Sequence, residues 1–501
     1  MKITLISPYP DIASLGIRII SSLLKQEGFT TNLIFLPNIT AEKREESQFV
    51  YLYDQSVMEE LIEISGDSHL VGISLMTNYF EGVVQITKAL KENLGIPIIW
   101  GGIHPTIRPK ECLDYADIVC VGEGEHGLLE LAHKLNKGEG YYHIKNLWFK
   151  KDGHIIKNPL RPLIQDLNSL PFPDYDLESH YILEENRIHP LYESLFKKAL
   201  ARGSISRYMN MVAYQTMATR GCPHKCTYCC NNTLRNLYPR QNYVRRRSAG
   251  NIIDELVQVK EKFSFIQAFW FSDDSFFATN DEEIKQFSQI YKEKIGLPFF
   301  CLCSPTTINE RKMDYLIEAG LCCIQMGIQT GSRRVCEEIY QRRISNQQVI
   351  NAARIINKYK SKLLPPLYDF ILDNHYETES DVLSTLNLIL KLPRPNRLNL
   401  FALILYPGTP LYDQAKADGL IYDDTGQIYR KRWYQHQKTY LNLAFSLVKN
   451  DLPKFIFKVL INKKIVKILN RKSLNKVYGF IINLAKLVKN VFDNRFYKRY
   501  Y

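Results

Sequence analysis

The sequence predicts an α/β chain of two strand-and-helix units, a doubly wound parallel sheet followed by a partial (β/α)6 barrel, with a basic helical tail at its C-terminus. Three observations predict it. Over residues 1–138 short apolar runs alternate with stretches of helical period, and the same alternation resumes near Met211 and runs to Gly419. Over residues 451–501, thirteen Lys and Arg stand against two Asp, a net +11 out of the chain's +13. At 501 residues the chain exceeds the roughly 250 to 300 at which a single core stops growing, so separate domains are expected. We place them at 1–138, with a bridge at 139–209, the second unit at 210–420 and the C-terminal region at 421–501.

Composition excludes several classes. With 45% hydrophobic and 23% charged residues the chain is neither disordered nor fibrous. It holds no run of about eighteen apolar residues, and Met1-Lys2-Ile3-Thr4-Leu5-Ile6 opens a strand rather than a secretory leader. A cytoplasmic protein is expected. Eleven cysteines, an odd number in a long chain, argue against a disulfide framework and for metal or redox chemistry. Because the tail carries most of the excess charge, nucleic-acid binding by the body is not expected.

In the first unit the strands are read at 3–6, 31–36, 70–75, 98–100 and 118–121. Such sheets bind ligands beyond the carboxyl ends of their strands. Those ends carry Ser7-Pro8-Tyr9-Pro10, Ser74-Leu75-Met76-Thr77, Gly101-Gly102-Ile103-His104 and Gly122-Glu123-Gly124-Glu125. Small residues at three of them would let a large flat ligand approach the backbone. In the bridge, 147–156 reads as a hairpin about Asp152-Gly153, and Leu170-Pro171-Phe172-Pro173-Asp174 as an extended linker.

In the second unit strands are read at 212–218, 268–272, 299–303, 322–327, 367–372 and 398–405. After the first comes Cys222-Pro223-His224-Lys225-Cys226-Thr227-Tyr228-Cys229-Cys230. Three thiolates in Cys-x-x-x-Cys-x-x-Cys spacing suit three irons of a 4Fe-4S cubane and leave the fourth iron open. A closed zinc site is the alternative, but it needs a fourth ligand and a second knuckle. Cys230 permits a shifted reading of the triad. Cys301, Cys303, Cys322, Cys323 and Cys336 read as small apolar residues in strands and a helix, and His224 as exposed.

The triad, with Tyr228 before its last cysteine, resembles the signature of the radical S-adenosylmethionine superfamily. That resemblance assigns Cys222, Cys226 and Cys229 to the cluster, whose open iron takes the amino and carboxylate groups of S-adenosylmethionine. Further resemblances follow at successive strand ends. Asp273-Asp274 stands where relatives hold an acidic pair near the S-adenosylmethionine amino group. Gln329-Thr330-Gly331-Ser332 replaces their Glu-Ser-Gly-Ser, so Gln329 and Ser332 are implied contacts. Asp373-Asn374-His375-Tyr376 replaces their Gly-Leu-Pro-Gly, and Tyr406-Pro407-Gly408-Thr409-Pro410 matches their sixth-strand turn, implying roles for Tyr406 and Gly408.

The first unit resembles the cobalamin-binding domain of methionine synthase, mutases and many radical enzymes, in which a strand-end Ser or Thr precedes a Gly-Gly pair by nearly thirty residues, as Ser74 precedes Gly101. The resemblance implies cofactor contacts from Ser74, Thr77, Gly101, Gly102, His104, Gly122 and Glu123. The family's axial-ligand motif, Asp-x-His-x-x-Gly, occurs literally at Asp67-Ser68-His69-Leu70-Val71-Gly72, but this enters a strand at its amino end. The segment in the corresponding loop, Asp11 to Gly16, has Ala13 where the His would stand, implying cobalamin held without a protein histidine. An ordinary flavodoxin-like domain is the alternative.

Together these resemblances, over residues 1–420, imply a cobalamin-dependent radical enzyme, most simply a methyltransferase acting on an unactivated carbon of a small or lipid-like substrate. In that family one S-adenosylmethionine recharges cobalamin with methyl and a second yields the hydrogen-abstracting radical, with electrons from a donor such as flavodoxin or ferredoxin. The alternative is a radical oxidative cyclase or rearrangement without methyl transfer. An RNA methylthiotransferase is disfavoured because only Cys112 and Cys120 precede residue 222, and a non-enzymatic sensor because no output module is recognisable.

The tail admits three readings: peripheral membrane contact through 451–501, a helical cap on the barrel, or polyanion binding. Ile481, Leu484, Val488 and Val491 share one helical face, while Asn483, Lys486, Lys489 and Asn490 fall on another.

Overall fold

The computed structural model describes residues 1–37, 40–45, 48–449 and 453–481. In the first unit the strands are β1 (Lys2–Ser7), β2 (Thr30–Phe35), β3 (Thr40–Glu45), β4 (Gln48–Leu52), β5 (Leu70–Ser74), β6 (Ile98–Gly101) and β7 (Ile118–Cys120). The bridge adds β8 (Leu147–Lys151), β9 (His154–Lys157), β10 (His180–Glu184) and β11 (Arg187–Pro190). One sheet runs β11-β10-β2-β1-β5-β6-β7-β8-β9, while β3 and β4 pair separately. Helices Leu15–Gln26, Gln55–Ser65, Phe80–Leu94 and Glu125–Asn136 return the chain between strands and bury one face each. Parallel strands covered on both faces explain the near-continuous apolar runs, such as 98–100, where Ile98 and Trp100 are fully buried.

The bridge does more than connect. Its hairpin turns at Asp152 and Gly153, both at positive φ, and β8 pairs antiparallel with β7. At the other edge β10 pairs with β2. Both edges of the first sheet, which would otherwise present unpaired backbone, are covered in this way.

The second unit comprises β12 (Ala213–Thr216), β13 (Thr219–Arg220), β14 (Arg245–Arg246), β15 (Ala268–Phe271), β16 (Phe299–Cys303), β17 (Leu321–Gln329), β18 (Leu367–Leu372) and β19 (Arg397–Ala402). The six parallel strands run in sequence order, β12-β15-β16-β17-β18-β19, an open barrel. The stretch read as one strand at 212–218 breaks after Thr216. There the Asp273 carboxylate accepts from the Ala218 N–H (3.1 Å) and the Thr219 hydroxyl (2.5 Å), drawing the chain off the sheet. Thr219 and Arg220 then pair with Arg246 and Arg245 as a two-residue ribbon leading into the cysteine loop.

The C-terminal region is not uniformly helical. Residues 421–435 form a strap across the two units, secured by Asn78, whose amide donates to the carbonyls of Ile428 (3.3 Å), Tyr429 (3.0 Å) and Lys431 (2.9 Å). The Arg432 guanidinium donates back to the Asn78 carbonyl (3.0 Å). Helices Tyr440–Lys449, Lys454–Leu460 and Lys463–Leu469 follow. No helix among the described residues is long and apolar enough to cross a membrane. Of the helical face read at Ile481, Leu484, Val488 and Val491, and of its polar counterpart, only Ile481 is described; the rest lie outside the described residues.

Candidate active site between the two sheets

The carboxyl ends of both sheets border one cavity of about 610 Å³. From the first unit it takes Ser74, Gly101, Gly102, Gly122 and Glu123; from the second, Arg220, Cys230, Asn231 and Asp274. Glycines bring backbone to the first wall among aliphatic side chains such as Leu5, Ile73 and Ile99. Gly102 has φ +105, and a Cβ there would lie 2.9 Å from the Leu75 carbonyl oxygen. Gly122 has φ +86, and its Cβ would fall 1.9 Å from the Tyr238 hydroxyl. That hydroxyl is buried beside the Glu123 backbone.

Among the described residues, no histidine lines the cavity. His69 sits at the amino end of β5, where its Nδ1 accepts from the Lys2 N–H (3.3 Å). Ala13 is buried at 2% exposure, and its carbonyl accepts from Nε of Arg18 (2.9 Å), a guanidinium sandwiched between the Phe35 and Tyr175 rings. The loop from Asp11 to Gly16 is thereby fastened to the core. His104 is buried as well; its Nδ1 meets the Thr77 hydroxyl at 3.0 Å, and burial pushes its pKa down to about 3, keeping the ring neutral. Thr77 and His104 pack behind the glycine wall rather than on it.

Across the cavity, Cys226 is buried and Cys222 and Cys229 are half-buried on the loop that follows β13. Gly221 permits the entry to this loop: its φ is +89, and a Cβ would clash with the Tyr243 carbonyl oxygen at 2.4 Å. Burial pushes the Cys222 thiol up to about 12. Cys229 differs, because it caps the helix Cys230–Leu237. A hydrogen bond from the Cys230 thiol, outweighing burial, together with the Asn231 N–H and amide holds it down at about 7. Cys230 itself is raised well above its ordinary value by the same pairing, and it borders the large cavity. Among the described residues no three His, Cys, Asp or Glu side chains converge as the ligands of a single ion would. A cubane spreads its thiolates over separate irons, so the donor set fits a cluster better than zinc.

Asp274 opens onto the cavity beside Asn231, with its pKa raised by burial. Its neighbour Asp273 is fully buried and committed to Ala218 and Thr219. Gln329, at φ +75, and Tyr406 border a second cavity of about 250 Å³ inside the barrel mouth, together with Tyr228, Asp369 and Trp433. Tyr406 also donates to Oδ1 of Asn78 (2.6 Å), linking the units. Ser332 is turned inward, donating to Oδ1 of Asp381 (2.5 Å). Gly408 admits Ile107 of the first unit, whose Cγ2 would lie 2.3 Å from a Cβ. Asp373, in the loop replacing Gly-Leu-Pro-Gly, accepts from the Gln437 N–H (3.0 Å) and the Asn442 amide (2.7 Å), so it ties down the C-terminal region.

Sequence reasoning missed several groups. Arg220 joins the units by donating to Glu123 (3.1 Å) and Glu125 (2.6 Å), and Arg245 adds a 2.8 Å pair to Glu123. The segment read as a plain linker walls the cavity through Leu170, Pro171 and Pro173, joined by Leu163 and Leu167 from earlier in the bridge. Arg342 is buried near the cysteines, donating to the carbonyls of Ile328 (2.9 Å) and Gly327 (2.8 Å). Asp369 is held by Gln325 (2.8 and 3.0 Å) and Asn399 (2.9 Å), and burial raises it to about 6. His224, read as exposed, is half-buried. Burial pushes its pKa down to about 4, helped by Arg342 and Arg235.

Two domain families match in the order this geometry requires: the B12 binding domain over residues 1–132 and the radical SAM superfamily over 216–389. This chain is a cobalamin-dependent radical SAM enzyme. Its cofactors are a 4Fe-4S cluster, S-adenosylmethionine and cobalamin, and the site's donors suit all three. The enzyme is 26% identical over 428 residues to a protein of Pyrococcus horikoshii described as an uncharacterized methyltransferase, a match covering 84% of each chain. It is 25% identical over 190 residues to the anaerobic magnesium-protoporphyrin IX monomethyl ester cyclase of Synechocystis, covering 37% of this chain and 33% of the relative. The cobalamin-dependent radical enzyme OxsB, solved with aqua-cobalamin bound, superposes with a TM-score of 0.68 at 14% identity, covering 96% of this chain and 75% of that one.

Proposed function

We propose that this radical SAM enzyme transfers a methyl group to an unactivated carbon of a small or lipid-like substrate, drawing electrons from a flavodoxin- or ferredoxin-type donor. One observation carries the reading: a single cavity of about 610 Å³ is bordered both by the glycine wall of the first sheet and by the cysteine-loop residues of the second. A shared chamber lets one substrate carbon meet both reacting centres without leaving the protein. The Pyrococcus relative supports the same direction through its description and its coverage of 84% of each chain.

When bound, the cluster with S-adenosylmethionine supplies a hydrogen-abstracting radical, and cobalamin supplies a transferable methyl group. The chain's own residues do the rest. Cys222, Cys226 and Cys229 would hold the cluster, with the Cys230 thiol donating to Cys229. Asp274 accepts from an ammonium group at the cavity edge, while Gln329 and Tyr406 border the barrel mouth. Gly101, Gly102 and Gly122 leave room for a flat macrocycle. Leu163, Leu167, Leu170 and two prolines of the bridge keep water from this side of the chamber.

The Synechocystis match supports a second reading, ring formation or rearrangement without methyl transfer. Comparing metabolites of deletion and wild-type cells would supply a candidate substrate. Anaerobic turnover of that substrate with methyl-labelled S-adenosylmethionine should give a product carrying the label. An unlabelled product that has lost hydrogens would replace the methyl-transfer reading with the second one.

A further inference from the structure

Residues 453–481 contain seven Lys, one Arg and no Asp or Glu. Their helices each divide into two faces. Phe457, Ile461, Val466 and Tyr478 are buried in the core shared with the barrel. Polar ties hold them there: the Tyr478 hydroxyl donates to the Leu469 carbonyl (2.6 Å), the Tyr440 hydroxyl to the Leu460 carbonyl (2.9 Å), and the Lys454 ammonium to the Leu390 carbonyl (2.9 Å). The Asn470 amide meets Glu379 at 3.2 Å. The segment therefore runs along helix Glu379–Lys391 and is fastened near both of its ends.

The other face is apolar and open. In Lys454–Leu460, Phe455 (73% exposed), Ile456 and Val459 (57%) lie within one arc, opposite buried Phe457. Val477, Phe480 (69%) and Ile481 follow at i, i+3 and i+4, and Ile468 is exposed in the helix between. Lys458, Lys463, Lys464, Lys467, Arg471, Lys472 and Lys476 are exposed among them.

We propose that residues 453–481 dock the enzyme on the surface of an anionic lipid bilayer. Exposed phenylalanine and branched aliphatic side chains set among cations, with no described helix long and apolar enough to span, have the composition of an interfacial anchor. A second copy of this chain would set like charge against like charge. A nucleic acid would satisfy the cations but leave the Phe and Val side chains in water. The capping role and the docking role coexist, because they use opposite faces of the same helices.

The test is flotation of the full-length holoenzyme with vesicles of phosphatidylcholine alone or with phosphatidylserine, beside Phe455→Ser/Phe480→Ser and Lys463→Glu/Lys464→Glu/Lys467→Glu. These side chains are exposed, so melting temperatures should stay close to wild type. The wild type should float with the anionic vesicles and not with the neutral ones, and each variant should bind about tenfold more weakly. The readout is independent of turnover, so it stands apart from the methyl-transfer reading. The proposal is overturned if the wild type ignores anionic vesicles, or if the Phe variant floats as well as wild type. It also falls if light scattering shows a dimer that the Phe variant dissolves, or if DNA binds the Phe variant and the wild type equally while neither floats.

Discussion

The two walls of the central cavity are built by opposite means. The wall of the first sheet brings backbone to the cavity at Gly101, Gly102 and Gly122, set among aliphatic side chains such as Leu5, Ile73 and Ile99, with the Thr77–His104 pair packed behind. The wall of the barrel is side chain, with Asp274, Cys230 and Arg220 reaching the cavity. The difference teaches what each wall is for. A large preformed macrocycle needs clearance, which glycine provides, whereas a cluster and a charged sulfonium need thiolates and carboxylates in set positions.

The comparison breaks most visibly at the cysteines. Cys229→Ala should lose bound iron and reductive cleavage of S-adenosylmethionine, while Cys230→Ala keeps most of both. The reverse pattern, in iron assays and 5'-deoxyadenosine yield, would move the third ligand to Cys230.

Next in size is the seam between the walls. Arg220→Ala strands the buried Glu125 carboxylate and leaves Glu123 to Arg245 alone. Breaking a buried pair by removing one partner costs about 3 kcal/mol or more. Denaturant titration should show that loss, with the second unit still holding iron.

On the backbone wall, Gly122→Ala imposes a side chain at φ +86 and drives it toward the Tyr238 hydroxyl. Cobalamin retained after gel filtration should fall about tenfold with iron content unchanged, since the strain is of the order of 1–2 kcal/mol. Equal loss of both cofactors would mean that the walls are not separable.

A smaller effect tracks acid. Burial alone would raise the Glu125 carboxyl, but the charge and hydrogen bond of Arg220 hold it below the usual range. A carboxyl depressed in the folded state stabilises fully above its unfolded pKa of about 4.3 and loses that contribution as pH falls through the folded value. Melting temperature should therefore drop below about pH 4.3, and less steeply in Glu125→Gln.

The smallest expected effect is none. His69→Ala, at the far end of β5, should leave the absorption spectrum of bound cobalamin unchanged; loss of an imidazole-ligated signal would restore the literal Asp-x-His-x-x-Gly motif.

Local pattern carried the cysteine triad, the order of six barrel strands and the Asp152-Gly153 hairpin, because spacing within one loop and the period of a strand are properties of neighbouring residues. It also placed His69 at the amino end of β5, since the amino and carboxyl ends of a strand can be told apart by chain direction. Which strand-end residues reach the cavity was decided only by tertiary structure. Asp273 and Asp274 are adjacent, yet one ties down the chain after β12 and the other faces the cavity. Ser332 and His104 sit in matching motifs, but the Ser332 hydroxyl is spent on Asp381 and Nδ1 of His104 on Thr77. The bridge walls a cavity between the sheets, and the Arg220 seam and the strap fastened by Asn78 join residues 95 to 353 positions apart. Such pairings depend on how two sheets dock face to face, and no local period encodes that geometry.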